Sequence, residues 1–255
     1  MILQTSRKKL NNLNFGIIIT ARTKSKRLKK KVLLPLLKQT VIEYLITRII
    51  KKFGNKKICL ITSKYKSDDI LIEISKIHSI FFYRGHAKDV LKRIYSSSIK
   101  MGWRNTINIT ADNPFVDLEY AQKMLKFHIN KNNDFTEINK LPIGLRSYVI
   151  NTNALKNILK KKKDTDTEIW GDYFKKNPDM KCENFKLVDR NHNQPKLRFT
   201  LDEIEDYKLI NIISKNIKKS KINTRNLIKF IKKKPKLKKI NSHIKQRQTK
   251  KINTI

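Results

Sequence analysis

The sequence predicts an α/β fold in which a mixed, largely parallel twisted sheet lies between two layers of helices. Short apolar, β-branched runs alternate along the chain with segments of helical periodicity, and this pattern is typical of a parallel sheet covered by helices. The 255 residues suffice for one substantial core, and they contain no internal repeat and no clear linker. A single three-layer domain is therefore the expected architecture.

In the first half, four apolar runs are expected to form strands, each followed by a helix. The runs are short and end at polar residues or glycine, which favours buried strands. They lie at Gly16–Thr20, Lys57–Thr62, Ser79–Tyr83 and Thr106–Thr110. Capping residues and apolar residues at 3.6-residue spacing predict the helices. These are expected after the cap Thr40, over Asp68–Ile77 with Ser67 as its cap, and over Asp89–Met101 and Leu118–Asn130.

The second half is less regular, and we expect it to supply substrate contacts. A turn at Pro142 and Gly144 separates two short strand candidates. The expected strands are Asp134–Ile138, Tyr148–Asn151 and Lys196–Thr200, and the expected helices are Asn153–Lys160, Thr167–Phe174 and a helix from Asp202 onward.

The formal net charge of +38 would suit a nucleic acid or an anionic membrane as partner. However, lysine far outnumbers arginine, and lysine, asparagine and isoleucine all have A/T-rich codons, so genomic base composition explains much of the charge. Specific recognition of bases and phosphates also prefers arginine. We therefore expect no specific nucleic-acid partner.

The charge is unevenly distributed, because no acidic residue follows Asp206. We predict an N-terminal extension over residues 1–14, the folded domain over 15–231, and a solvated, poorly ordered basic tail over 232–255. The tail has few apolar residues with which to offset its ordering entropy. We expect it to be dispensable for the chemistry.

Cysteine usage and the N-terminus indicate a cytoplasmic protein. Cys59 lies in an apolar run far from Cys182, which favours buried, reduced thiols over a disulfide. The first residues contain no apolar leader, and no run reaches the roughly 18 apolar residues of a transmembrane helix. No membrane span is expected.

The strongest functional signal is the cationic loop that follows the first strand. It contains Arg22, Ser25, Arg27 and Lys31. Open α/β sheets bind ligands at the carboxyl ends of their strands, where loop N–H groups and fixed positive charges can receive phosphates. Taken alone, the loop is equally compatible with a basic surface loop.

Two aspartates also follow predicted strands. Asp112 lies in Thr-Ala-Asp-Asn-Pro and Asp202 in Arg-Phe-Thr-Leu-Asp. Mg²⁺ takes one or two carboxylates together with phosphate and water. Each aspartate has a structural alternative, a turn for Asp112 and a helix N-cap for Asp202. Two strand-end aspartates and a cationic loop form a minimal set for phosphoryl or nucleotidyl transfer.

A fourth segment, residues 83–93, joins a strand to a helix. Gly85 permits a tight turn, and Asp89 and Arg93 lie four residues apart on one helix face. Composition alone favours a helix start with a surface ion pair.

In this order, the four segments resemble the cytidylyltransferase family, which includes a spore-coat polysaccharide branch and the synthetases of CMP-activated sugar acids. Residues 19–28 are similar to its opening Ala-Arg-x-x-Ser-x-Arg-Leu-Pro-Gly-Lys motif, and residues 84–93 to its Arg-Gly…Asp-Val-Leu-x-Arg segment. Residues 110–114 resemble its Thr-x-Asp-x-Pro motif, and residues 198–202 its Arg-x-Thr-x-Asp motif. The resemblance spans about residues 15 to 215 and is specific as an ordered set.

The resemblance implies a Rossmann-like fold of the nucleotide-diphospho-sugar transferase type, with CTP and a sugar acid as substrates and Mg²⁺ as cofactor. The implied nucleotide-binding residues are Ala21, Arg22, Ser25, Arg27, Lys31, Gly85, Asp89 and Asp112. The implied catalytic residues are Arg22, Lys31 and Asp112, and the implied metal ligands are Asp112 and Asp202.

The sequence departs from the family pattern in two places. Lys29-Lys30 stands where the family usually has Pro-Gly, and lysine fits poorly where the backbone needs a positive φ. The branch's usual Arg-Glu-His segment is not evident, and the acidic segment 164–174 stands in its place. That segment could be a capped helix with a packed Trp170, a part of the acceptor site, or the interface of a homodimer.

We therefore predict an Mg²⁺-dependent nucleotidyltransferase that moves CMP from CTP to a sugar acid of the acylneuraminate or nonulosonate type and releases pyrophosphate in surface polysaccharide biosynthesis. The alternatives are a sugar-1-phosphate nucleotidyltransferase or a glycosyltransferase on the same scaffold. A non-catalytic polyanion-binding protein is the alternative outside enzymes.

Overall fold

The computed structural model describes residues 13–25 and 27–246, and its main feature is a seven-stranded sheet. The strands in chain order are β1 (Phe15–Thr20), β2 (Pro35–Leu36), β3 (Gln39–Thr40), β4 (Ile58–Ser63), β5 (Phe81–Gly85), β6 (Asn105–Thr110), β7 (Phe135–Glu137), β8 (Tyr148–Asn151) and β9 (Cys182–Asn184). The large sheet has the order β5-β4-β1-β6-β8-β7-β9, and β2 and β3 form a separate hairpin. β5, β4, β1 and β6 are mutually parallel, and β8 runs antiparallel to both its neighbours. The predicted mixed, largely parallel sheet is confirmed.

Eight α-helices lie in the described ranges. They are α1 (Val41–Phe53), α2 (Asp69–Ile77), α3 (Val90–Lys100), α4 (Leu118–Lys131), α5 (Thr152–Lys161), α6 (Gly171–Lys175), α7 (Ile204–Asn216) and α8 (Thr224–Lys233). Single 3₁₀ turns join several of them. None of these helices is both long enough and apolar enough to cross a membrane.

The sheet separates two layers of apolar side chains because successive residues of a strand point to opposite faces. In β1, Ile17 and Ile19 pack with α1 and α4, whereas Ile18 packs on the other face with α3 and α5. A third apolar cluster joins the start of α1 to α7 and α8. The three-layer architecture follows from this alternation.

Local capping signals account for the helix starts that the sequence predicts well. Thr40 and Glu43 form a reciprocal capping box at the start of α1, and Asp89 caps α3 by accepting from the N–H of Lys92. The predicted cap Ser67 is wrong. α2 begins at Asp69, and the Ser67 carbonyl instead accepts a hydrogen bond from Thr23 Oγ1.

Two elements of the second half also differ from expectation. The predicted helix over 167–174 is reduced to α6, because Thr167 Oγ1 accepts from the N–H of Leu91 and donates to Asp89. The predicted strand over 196–200 is a single bridge in which Arg198 pairs with Ile143. Both segments are fixed by contacts with distant residues that local sequence does not encode.

The largest difference from the sequence prediction lies in the C-terminal segment, which we define as residues 234–246. It continues from α8 through a 3₁₀ turn, Pro235–Ile240. Leu237 and Ile240 pack against the third apolar cluster, and Asn241 is buried. The prediction of a poorly ordered tail is therefore wrong over residues 232–246, although most of these residues are exposed. The remainder of the predicted tail, 247–255, lies outside the described residues.

Candidate active site

The candidate site lies at the carboxyl ends of β1 and β6, where backbone hydrogen bonds align the chain segments that leave the sheet. The N–H of Ala111 donates to the Thr20 carbonyl at 3.0 Å. Beyond it, the N–H of Leu201 donates to the Asp112 carbonyl at 2.8 Å. These two contacts bring Asp112 and Asp202 to the same edge of the sheet although they are far apart in the chain.

Lys31 joins the two aspartates. Its Nζ lies 2.6 Å from Asp112 Oδ2 and 2.8 Å from Asp202 Oδ1. Burial opposes the charge of Lys31, but the two carboxylates outweigh burial and raise its pKa above the usual value. The structure therefore brings together three of the residues that the sequence nominates.

Asp202 is the most enclosed of the three and has two further cationic partners. Arg27 Nη2 lies 2.8 Å from Asp202 Oδ1, and Arg198 Nη2 lies 2.8 Å from Oδ2. Burial acts against ionisation, but Lys31, Arg27 and Arg198 together lower the pKa of Asp202 below its usual value. The carboxylate is thus ionised at neutral pH and held from both sides.

Arg198 and Asp206 form a buried ion pair behind Asp202 that the sequence prediction missed. Arg198 donates through Nε to Asp206 Oδ1 at 2.9 Å and through Nη2 to Oδ2 at 3.0 Å. Asp206 Oδ2 also accepts from the N–H groups of Asp202 and Glu203. No helical spacing rule could have found this network, because Arg198 and Asp202 precede α7, which begins at Ile204.

Arg22 lies at the start of the same loop but has different partners. Its Nη1 donates to the Ala87 carbonyl at 2.9 Å, and its Nη2 pairs with Glu168. Next to it, the N–H and Oγ1 of Thr23 both donate to the buried Asp68 carboxylate. The loop is thereby fixed to the strand ends of β4 and β5.

The remaining nominated residues fall into two places. Ala21 is buried, and its N–H donates to the Ile61 carbonyl at 3.1 Å, while Ser25 lies half-buried further along the loop. Gly85 ends β5, and an added Cβ there would come within 2.9 Å of Arg93 Cγ. The turn therefore needs glycine for close packing.

Asp89 is engaged on both carboxylate oxygens. Oδ1 accepts from the N–H of Lys92 and from Thr167 Oγ1, and Oδ2 pairs with Lys162 Nζ at 2.5 Å. This ion pair anchors the 162–170 segment against the start of α3. In the same segment Trp170 packs on Phe135, Tyr148 and Phe174, which supports its structural interpretation.

The loop also shows what replaces the family's Pro-Gly. Lys30 adopts the left-handed conformation, with φ 50°, immediately before a 3₁₀ turn, Lys31–Leu33. The positive φ confirms that this position is a poor one for lysine. Because the turn starts at the next residue, the backbone of Lys30 determines where Lys31 points.

Asp112 and Asp202 are the residues that the sequence nominates as ligands of a divalent cation. The part of the chain that the structure describes contains no group of three or more His, Cys, Asp and Glu side chains able to hold a metal. Asp112 and Asp202 nevertheless direct one oxygen each at a common cation, Lys31 Nζ. Two hard carboxylate oxygens completed by phosphate and water form a set that Mg²⁺ accepts.

Comparisons with known proteins identify the family of the chain. The model of a family described as Cytidylyltransferase matches residues 16–221. The chain is 30% identical over 236 residues to an uncharacterized protein of Methanocaldococcus jannaschii, covering 92% of this chain and 97% of the relative. It is also 30% identical over 207 residues to the spore coat polysaccharide biosynthesis protein SpsF of Bacillus subtilis, covering 79% and 85%.

Solved structures agree on the fold. A cytidylyltransferase from Leptospira borgpetersenii matches with a TM-score of 0.82 and 22% identity, over 93% of this chain and 100% of that chain. A CMP:2-keto-3-deoxy-manno-octonic acid synthetase complexed with CTP matches with a TM-score of 0.59 and 12% identity, over 80% and 100%. At these identities the two structures bear on the fold alone.

The fold belongs to the Rossmann-like α/β class, which the two solved structures share. Within that class, the extent of the family match is decisive. The chain belongs to the cytidylyltransferase family and is a cytidylyltransferase enzyme.

Proposed function

We propose that this enzyme transfers CMP from CTP to a sugar acid, releases pyrophosphate, requires Mg²⁺ and acts in the synthesis of a surface polysaccharide. The observation that carries the proposal is the convergence of Asp112 and Asp202 on Lys31 at the carboxyl ends of β1 and β6. The name of one relative, a spore coat polysaccharide biosynthesis protein, supports the role in polysaccharide synthesis. The sugar-acid acceptor is the choice that we take from the resemblance of the sequence motifs to the synthetases of CMP-activated sugar acids.

The reaction needs no covalent nucleophile from the protein. An acceptor oxygen attacks the α-phosphorus of CTP, and pyrophosphate leaves in line, so the chain has to orient two substrates and balance charge. Arg22, Arg27 and Lys31 are the three cations of the loop whose contacts with acidic side chains are described above. In the proposed role, Arg27 and Lys31 exchange part of their contact with Asp202 for phosphate oxygens, and arginine contributes forked contacts.

Asp112 and Asp202 would hold Mg²⁺. The ion, when bound, supplies charge neutralisation for the phosphate oxygens. Asp112 is the more accessible ligand, with 23% of its side chain exposed, whereas Asp202 is 8% exposed and already has three cationic partners. In this proposal Asp112 is the solvent-facing ligand, which the entering ion and substrate contact first, and Asp202 is the buried ligand of the same ion.

Ala21, Ser25, Gly85 and Asp89 are proposed to shape the nucleotide pocket. Ala21 has a small side chain at a strand end, where a base or ribose can approach the backbone. Gly85 lets the side chain of Arg93 pack against the turn that borders the pocket. Asp89 is enclosed by its contacts with Lys92, Thr167 and Lys162. Its proposed role is to hold the start of α3 in place beside the pocket.

The test is a nucleotide and acceptor screen. Melting is measured with CTP, UTP, ATP and GTP, each with and without Mg²⁺, because a ligand that binds only the folded state raises its melting temperature. Pyrophosphate release is then measured with CTP and a panel of sugar acids and sugar 1-phosphates. We expect CTP alone to raise the melting temperature and pyrophosphate release to require a sugar acid. Pyrophosphate release with a sugar 1-phosphate instead would show that the acceptor is a sugar 1-phosphate and not a sugar acid.

A further inference from the structure

The C-terminal segment, residues 234–246, reaches back to the ion pair behind Asp202. Asn241 has only 3% of its surface exposed. Its Nδ2 donates to the Arg198 carbonyl at 3.2 Å and to Asp206 Oδ1 at 2.8 Å. One amide group therefore links the segment that carries Arg198 to the first turn of α7.

Gln246 makes a second contact from the same segment. Its Oε1 accepts from Arg198 Nη1 at 2.6 Å. Since Arg198 uses Nε for Asp206 and Nη2 for Asp202 and Asp206, this contact engages the third nitrogen of the guanidinium. A planar guanidinium bound at all three nitrogens has a single available orientation.

The orientation of Arg198 matters because its Nη2 fixes one oxygen of Asp202 and leaves the other for Lys31. Asp206 contributes to the same result by accepting from the backbone N–H of Asp202 at 2.9 Å. The contacts thus form a continuous series from Asn241 and Gln246, through Arg198 and Asp206, to the carboxylate of Asp202. Partners that orient a ligand's side chain in this way typically change metal affinity or activity about 10- to 100-fold.

We propose that Asn241 and Gln246 are positioning residues for Asp202, so that the C-terminal segment is a working part of the active site. This inference rests on the proposed function, in which Asp202 helps to hold Mg²⁺. The residues involved lie beyond the family match, which ends at residue 221. The segment is lysine-rich, but it acts here through two uncharged amides and not through its charge.

The alternative is that the two amides only fasten the C-terminal segment to the domain. Asn241→Ala would then leave buried donors or acceptors unpaired and lower the free energy of unfolding, without any change in metal binding. Asn241→Ala alone cannot separate the two explanations because Asn241 is buried. Gln246 is exposed at the surface, so Gln246→Ala keeps the fold and removes only the contact with Arg198.

The experiment compares Asn241→Ala, Gln246→Ala and Gln246→Glu with Ser242→Ala, an exposed neighbour used as control. Mn²⁺ binding to each protein saturated with CTP is followed by the loss of the free-ion EPR signal, with protein-free CTP as blank. The Mg²⁺ dependence of pyrophosphate release and the free energy of unfolding in urea are measured in parallel.

We expect Asn241→Ala and Gln246→Ala to weaken Mn²⁺ binding about tenfold and to raise the Mg²⁺ concentration for half-maximal turnover by a similar factor. Gln246→Glu retains an acceptor for Arg198 and should restore both values. Ser242→Ala should match the wild type.

Unchanged Mn²⁺ affinity in Gln246→Ala, or a loss that Gln246→Glu does not restore, would overturn the inference. If the wild type binds CTP and Mn²⁺ but transfers nothing to a sugar acid, the proposed function fails while the inference is still decided by the binding data. If the wild type binds neither, both fail.

Discussion

The shared site between Asp112 and Asp202 leads to a sharp prediction, in which the two aspartates are alike in activity and unlike in stability. The changes are Asp112→Asn, Asp202→Asn and the double variant, each of which keeps the side-chain shape and removes the charge. Both aspartates contact Lys31 Nζ and would contact the same ion. Each single change should therefore lower kcat/KM about a hundredfold or more, and the double variant should be little worse than the poorer single.

The stability effects should differ because the surroundings differ. Asp202 is 8% exposed and pairs with Lys31, Arg27 and Arg198, whereas Asp112 is 23% exposed and pairs with Lys31. Removing one partner of a buried pair costs about 3 kcal/mol or more, and a more exposed pair contributes about 1 kcal/mol or less. Asp202→Asn should thus lower the free energy of unfolding clearly more than Asp112→Asn does.

The assays are pyrophosphate release and urea denaturation, with both measured at a temperature at which every variant is folded. Losses of activity that multiply in the double variant would show that the aspartates act independently. Activity losses that follow the order of the stability losses would show that folding, and not a shared ion, explains them. Either result would show that the two aspartates do not act through one shared ion.

Three further predictions concern the loop and the core. Lys30→Gly should raise the free energy of unfolding by about 0.5 kcal/mol, since it relieves the positive φ at residue 30. Lys29→Gly should lower it. Equal effects of the two changes in urea denaturation would contradict the left-handed conformation of Lys30. Arg27→Lys should lower kcat/KM about tenfold through the lost fork, while the exposed Lys24→Gln should leave pyrophosphate release unchanged; similar losses would indicate a diffuse positive patch. Burial lowers the pKa of His128 to about 4, so below about pH 6.5 the unfolded state binds a proton that the folded state does not. As the pH is lowered from about 6.5 to 4, the free energy of unfolding should therefore fall by about 1.4 kcal/mol per pH unit. His128→Gln should flatten this slope, and an unchanged slope would contradict the role of His128.

Much of the sheet and of the site could be predicted because its signals are local. The run before Thr20 and the capping box at Thr40 and Glu43 each encode one element within a few residues. Asp112 and Asp202 each follow a strand or its bridge, and the carboxyl ends of parallel strands meet at one edge. The position of Asp112 therefore followed from topology, whereas Asp202 is brought beside it by the hydrogen bond from the N–H of Leu201 to the Asp112 carbonyl.

What could not be predicted depends on contacts between distant segments. Lys162 is one lysine among many in the sequence, and only the fold reveals its buried ion pair with Asp89. The same holds for Asn241, whose neighbours in the sequence indicate a solvated tail. A single buried amide that satisfies Arg198 and Asp206 outweighs the composition of the surrounding residues.

The most direct test of the account follows the phosphorus atoms of CTP. The wild-type enzyme is incubated with Mg²⁺, a sugar acid and CTP labelled with ³²P at either the α or the γ position, and the products are separated. We expect α-label to enter a CMP-sugar product and γ-label to be recovered in pyrophosphate, with both transfers slowed about a hundredfold or more in the Asp112→Asn variant. Recovery of γ-label as inorganic phosphate with formation of CDP, or α-label that never joins the sugar, would contradict this expectation.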